Sequence, residues 1–123
     1  MKAMARSDRA TERLKRHRRI RKRISGTSER PRLCVTKTLR HLYAQVIDDE
    51  LGRTVVQAST LEPEIRSRVS GPNVAAAETV GTILAERALN DGIEAVVFDR
   101  GGYPYHGVIS TFAEACRKGG LRF

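Results

Sequence analysis

The chain has 123 residues, 40% of them apolar, and carries a formal net charge of +9 from 23 Lys and Arg against 14 Asp and Glu. That length suits one domain with a modest core, and no stretch approaches the ~20 apolar residues of a membrane span. No apolar segment follows the basic start as in a secretory signal. Cys34 and Cys116 form no CxxC pair, so they read as reduced, small apolar residues of a cytosolic protein rather than metal ligands.

The charge is uneven. Thirteen of the Lys and Arg and three of the acids lie in residues 1–32, a net of +10, which leaves −1 for residues 33–123. A near-neutral globule therefore carries a polycationic arm, and such an arm requires a polyanion, nucleic acid first.

The arm covers residues 1–24. Its cations Arg13, Lys15, Arg16, Arg18, Arg19, Arg21, Lys22 and Arg23 are candidate phosphate contacts, and arginine adds bidentate binding and base stacking. Leu14, Ile20 and Ile24 make no continuous apolar stripe. Like charges at i, i+4 oppose a free helix, so the segment is expected to be frayed alone and helical once phosphates neutralise it. Without Trp or Phe among the charges, a lipid surface is disfavoured.

Residues 25–31, which include Arg30, form a hinge, and the globular domain is placed at 25–123. Three strands follow. Residues 32–36 put Leu33 and Val35 on one side and Arg32, Cys34 and Thr36 on the other. Residues 41–47 put Leu42, Ala44 and Val46 inward and His41, Tyr43, Gln45 and Ile47 outward. Residues 54–59 put Thr54, Val56 and Ala58 inward and Val55, Gln57 and Ser59 outward. Asp48, Asp49 and Glu50 fall in the turn before Gly52 and are expected to be solvated.

A polar connection with a helical turn near Pro63 leads to a helix from the N-cap Asn73 to Asn90. Within it Gly81 implies close packing on the sheet. Residues 95–98 read as an interior parallel strand, residues 99–107 as a glycine-rich loop and residues 108–118 as a final helix. The fold class is α/β. A mixed four-stranded sheet, a three-strand antiparallel meander plus one parallel strand, carries two helices on one face and leaves the polar face open beside the basic arm.

Several ordered motifs make the chain similar to a known family. They are Ser25-Gly26-Thr27, Glu29-Arg30-Pro31-Arg32-Leu33, Tyr43-Ala44-Gln45-Val46-Ile47-Asp48-Asp49, Val97-Phe98-Asp99-Arg100-Gly101-Gly102-Tyr103, Tyr105-His106-Gly107 and the ending Gly120 to Phe123. Over residues 13–123 the chain resembles the bacterial large-subunit ribosomal protein L-eighteen family, which binds 5S rRNA. The resemblance implies a ribonuclease H-like, translational-machinery topology and a cytoplasmic, ribosomal location. It also implies a non-catalytic role attaching 5S to 23S rRNA in the central protuberance, beside neighbouring large-subunit proteins. Thr36 stands where the family commonly has an aromatic, Leu39 where it has Asn, and Val108 where it has Arg.

With that resemblance, the outward face (Arg32, Thr36, Lys37, His41, Tyr43 and Gln45) becomes a candidate RNA surface, as do Arg100, Tyr103 and His106 of the glycine loop. The loop's glycines would let backbone approach RNA closely. Asp99 is expected to be structural, orienting Arg100 or capping amides. No catalytic residue, metal, cofactor or small-molecule substrate is expected. The carboxylates do not converge as a two-metal nuclease needs, His106 has no nucleophile partner, and no phosphate-cradle motif is present. The alternative reading is a general nucleic-acid-binding or chaperone module.

Overall fold

The computed structural model describes residues 6–123, so residues 1–5 of the expected arm lie outside the described residues. The elements run α1 (Arg6–Arg21), β1 (Arg32–Lys37), β2 (Leu42–Asp48), β3 (Arg53–Ser59), α2 (Pro63–Arg66), α3 (Val74–Asn90), β4 (Val97–Asp99) and α4 (Val108–Lys118). One sheet holds the strands in the order β3-β2-β1-β4. The meander pairs antiparallel, and β4 joins β1 in parallel, as the strand patterns require.

The period-2 apolar residues of the meander meet the apolar stripes of the two long helices. Leu33, Val35, Leu42, Ala44, Val46, Val56 and Ala58 pack with Val80 and Leu84 of α3 and with Ile109, Phe112 and Cys116 of α4. Removing these side chains from water is the main stabilising term of the globule. Asn73 caps α3, its Oδ1 accepting the Ala76 N–H at 2.9 Å.

Three local expectations change. The register passes from Val46↔Val56 to Ile47↔Thr54, so Val55 is the extra residue of a bulge. The bulge turns Thr54 out to solvent and leaves Val55 half-buried against the core. β4 lies at the sheet edge rather than inside it. Its apolar character comes from coverage by other elements, with Phe98 packing against Phe112 and lying 5.4 Å from Phe123. Gly81 allows close approach of α4, not of the sheet. A Cβ there would lie 2.8 Å from both the Ala115 Cβ and the Phe112 carbonyl oxygen.

Gly81→Val therefore overpacks the α3–α4 contact and is expected to cost about 1–3 kcal/mol. A lowered urea midpoint with an unchanged m-value is the signature to look for.

Candidate nucleic-acid interface

α1 has an inner and an outer side, although neither is apolar. Arg13, His17 and Arg21, spaced i, i+4, i+8, lie on one face of the helix. Each has a partner in the globule. Arg13 Nη1 donates to the Gly101 carbonyl at 2.9 Å, and its guanidinium lies 4.7 Å above the Tyr103 ring. His17 Nε2 meets Asp99 Oδ2 at 2.8 Å. Arg21 Nη1 reaches Asp49 Oδ2 at 3.3 Å. Arg16 Nε adds a bond to the Gly102 carbonyl at 2.9 Å. A search for an apolar stripe misses this face because its contacts are hydrogen bonds and ion pairs. The recoverable signal was the Arg–His–Arg spacing set against Asp49 and Asp99, and His17 was not singled out.

The glycine loop is shaped by the same contact. Gly101 and Gly102 have φ of 68° and 82°, which glycine alone adopts without cost. A Cβ on Gly102 would overlap the Arg13 carbonyl oxygen and lie 3.0 Å from the His17 amide nitrogen. The backbone that these glycines admit is α1, which corrects the expectation of a close approach to RNA at this point.

Beneath the helix lies a buried charge network. Asp99 is fully buried. Its Oδ1 accepts the Gly101 N–H at 2.9 Å, and its Oδ2 receives Arg32 Nη1 at 2.7 Å as well as His17. Arg32 is 8% exposed and also donates from Nε and Nη2 to Asp49, at 3.1 and 3.2 Å. Arg32 was expected on the open face as an RNA contact. It is instead enclosed by two carboxylates under α1 and is withdrawn from the candidate surface. Asp99 does cap an amide, but the guanidinium it holds is that of Arg32, not Arg100.

The acidic turn is likewise not solvated as expected. Asp48 is buried, accepts the Glu50 and Leu51 amides and receives the Ser28 hydroxyl. Asp49 accepts the Gly26 N–H at 2.6 Å besides its arginines. Glu50 is the exposed member.

The Arg32 hydrogen bond, against some burial and with help from the Gly26 amide, holds the Asp49 carboxyl below its ordinary range. Burial opposes ionisation of Asp99, but the His17 bond, the Gly101 amide and Arg32 together outweigh it and lower that carboxyl too. Burial, with the Asp99 charge adding, pushes the Cys34 thiol up to about 11. His17, Cys34 and Asp99 bring possible ligand atoms within 4.8 Å of one another. A cation entering there would meet Arg32 at the shared carboxylate and would have to displace the Cys34 proton. The chemistry of the cluster is that of an anchor for α1.

The outer side of α1 presents Lys15, Arg18 and Arg19 to solvent, and Lys22, one residue past its end, is exposed too. Arg16, Arg19, Ile20 and Arg23 join Arg100 around a groove of about 340 Å³. On the sheet, Thr36, Lys37 and Gln45 are exposed, and His41 and Tyr43 are half-buried and pair edge-to-face at 6.3 Å. His41 Nδ1 also bonds the Thr60 hydroxyl. Tyr103 packs locally. Its hydroxyl accepts the Lys37 N–H and donates to the Lys37 carbonyl. Arg30 and His106 are exposed, whereas Val108 is half-buried against the core. The result is one cationic ridge beside a polar half-sheet.

The family model described as ribosomal L18 of archaea, bacteria, mitochondria and chloroplast matches residues 7–123. The chain belongs to this family. It is 57% identical to the large ribosomal subunit protein uL18 of Caldicellulosiruptor saccharolyticus, over 94% of each chain. It is 55% identical to the protein of the same name from Aquifex aeolicus, over 94% of this chain and 95% of that one. Identity to the Thermotoga petrophila protein is 54%, over 91% and 93%. Bacterial members of the L18 family are structural components of the ribosome in the cytoplasm, not enzymes, and the buried carboxylates described above serve packing rather than turnover.

Asp99→Asn takes one of Arg32's two carboxylates and the acceptor of His17, while Asp49 still compensates the guanidinium, and is expected to cost about 1.5–3 kcal/mol, read as a fall in the urea midpoint. The acid limb follows from the same groups. Both carboxyls are depressed in the fold, so their contribution is complete above about pH 4, the ordinary carboxylate value. It is lost as pH falls through the lower folded values. Unfolding followed by circular dichroism is expected to be flat through neutral pH and to weaken below about pH 4, and Asp99→Asn is expected to show a shallower acid limb.

Proposed function

We propose that this large-subunit protein binds 5S rRNA and helps attach it to 23S rRNA in the central protuberance, beside neighbouring ribosomal proteins. It would do so on the ribonuclease H-like topology that its motifs imply. The observation that carries the reading is the division of α1. Its inner cations are engaged by the protein, while Lys15, Arg18, Arg19 and Lys22 stand in a row that the globule holds in place. A pre-positioned row of cations matches a helical phosphate backbone better than a free tail does, because less ordering entropy is lost on binding. Phosphates would further stabilise the helix by neutralising its outer charges, which is the sense in which residues 1–24 form an arm that is helical on RNA.

Charge alone does not choose an RNA. We assign that choice to the half-sheet, the loop and Arg30 of the hinge, where Thr36, Lys37, His41, Tyr43, Gln45, Arg100, Tyr103 and His106 join Arg30 in offering stacking and hydrogen bonds to bases and ribose hydroxyls. Arg13, Arg16, Arg21 and Arg23 complete the cationic side.

Deleting residues 1–24 would also take His17 from Asp99 and Arg21 from Asp49, so outward-only substitutions are the cleaner test. The triple variant Lys15→Gln, Arg18→Gln, Lys22→Gln is expected to keep its fold and to weaken 5S rRNA binding. Its log–log salt slope is expected to be shallower by about two to three. An unchanged gel-shift affinity and slope would overturn the reading. Equal binding of 5S rRNA and duplex DNA at physiological salt would favour a general nucleic-acid-binding module instead.

A further inference from the structure

We propose that the groove between the C-terminal half of α1 and the glycine loop binds a condensed phosphate, a short inorganic polyphosphate chain, and that a filled groove displaces RNA from that end of the ridge. The displacement rests on the RNA reading above; the binding does not. Arg16, Arg19, Ile20 and Arg23 recur at i, i+3, i+4 and i+7, so they share one side of the helix and of the turn that continues it. Arg100 of the loop completes the lining. Arg16 is held by its Nε bond to the Gly102 carbonyl, which leaves its Nη donors for a ligand. The side chains of Arg19, Arg23 and Arg100 make no hydrogen bond or ion pair with the protein among the described residues.

Four guanidiniums around a groove of about 340 Å³ repel one another, and no carboxylate lines it among the described residues. On the outer row the charge is partly answered, since Lys15 meets Glu12 at 3.3 Å. The groove therefore calls for an anion that carries several charges in a small space. An RNA strand separates its singly charged phosphates by a sugar, so a groove this size does not gather enough of them to match its cations. Condensed phosphate sets its charges one bridging oxygen apart, and its phosphoryl oxygens accept bidentate guanidinium bonds. Ile20 is the one apolar side chain in the lining among the described residues, and no aromatic ring stands beside it. A nucleobase finds no stacking platform there, which favours a bare phosphate chain over a nucleoside triphosphate.

The test is a calorimetric titration of the full-length protein with sodium tripolyphosphate at constant ionic strength. A single saturable site is expected, with orthophosphate binding far more weakly. Arg23→Gln and Arg100→Gln, which remove no contact within the protein, are each expected to weaken tripolyphosphate about tenfold. Arg66→Gln removes the same charge from exposed α2 and is expected to leave the affinity unchanged. Absence of saturable binding overturns the proposal, as does an equal loss in Arg66→Gln and Arg100→Gln, which would mark general charge attraction. ATP binding more tightly than tripolyphosphate also overturns it, in favour of a nucleotide site. For the displacement, saturating tripolyphosphate is expected to weaken 5S rRNA binding by the native protein in a gel shift and to have little effect on Arg100→Gln. An equal effect on both proteins would place the action on the RNA and overturn the displacement. Failure to bind 5S rRNA without tripolyphosphate would count against the RNA reading and leave the groove's binding standing.

Discussion

The Asp99 carboxylate joins parts of the chain that otherwise have little reason to meet. It sits at the end of the edge strand β4, caps the glycine loop through Gly101, neutralises Arg32 on β1 and receives His17 from α1. A buried carboxylate is costly unless all its acceptor capacity is used, and here it is used by three separate elements. Arg32 then extends the network to Asp49, which reaches Arg21 and the Gly26 amide. The two acids therefore fasten α1 at positions 17 and 21 and fasten the chain that leaves it at position 26.

That arrangement resolves a conflict in the sequence. A helix this rich in like charge is unfavourable alone, and a mobile polycation would bind any polyanion. Bonding the inner side chains to the Gly101 and Gly102 carbonyls, Asp99 and Asp49 offsets the repulsion within α1 and fixes the direction in which the remaining cations point. The positive φ of Gly101 and Gly102 serves the same end, because a side chain at Gly102 would collide with the helix backbone. Affinity and orientation thus come from different sides of one helix.

Much of the globule was legible because period-2 and period-3.6 patterns report burial directly. The meander, the parallel partner of β1, the Asn73 cap and the span of α4 all follow from such patterns. Thr54 was misplaced because a bulge inverts alternation without leaving a sequence mark as clear as a glycine. The anchor of α1 was hidden for another reason. Arg13, His17 and Arg21 read as part of a solvated charge run, and only their distant partners Asp49 and Asp99 distinguish them from Lys15, Arg18 and Lys22. The same blindness placed Arg32 on an open face, since strand alternation tells which side a residue faces and not what lies above it. Lys15, Arg18, Arg19 and Lys22 are exposed, which a charge run predicts by default, whereas His41, Tyr43 and Tyr103 are half-buried.

The account rests on α1 being held against the globule by Asp99 before any RNA arrives. Amide hydrogen exchange over residues 13–21, measured in the RNA-free protein and in Asp99→Asn, addresses this most directly. The account predicts protection in the native protein that is largely lost in the variant while the β1–β2 amides stay protected longer. Exchange of the α1 amides at the unprotected rate in the native protein would contradict it.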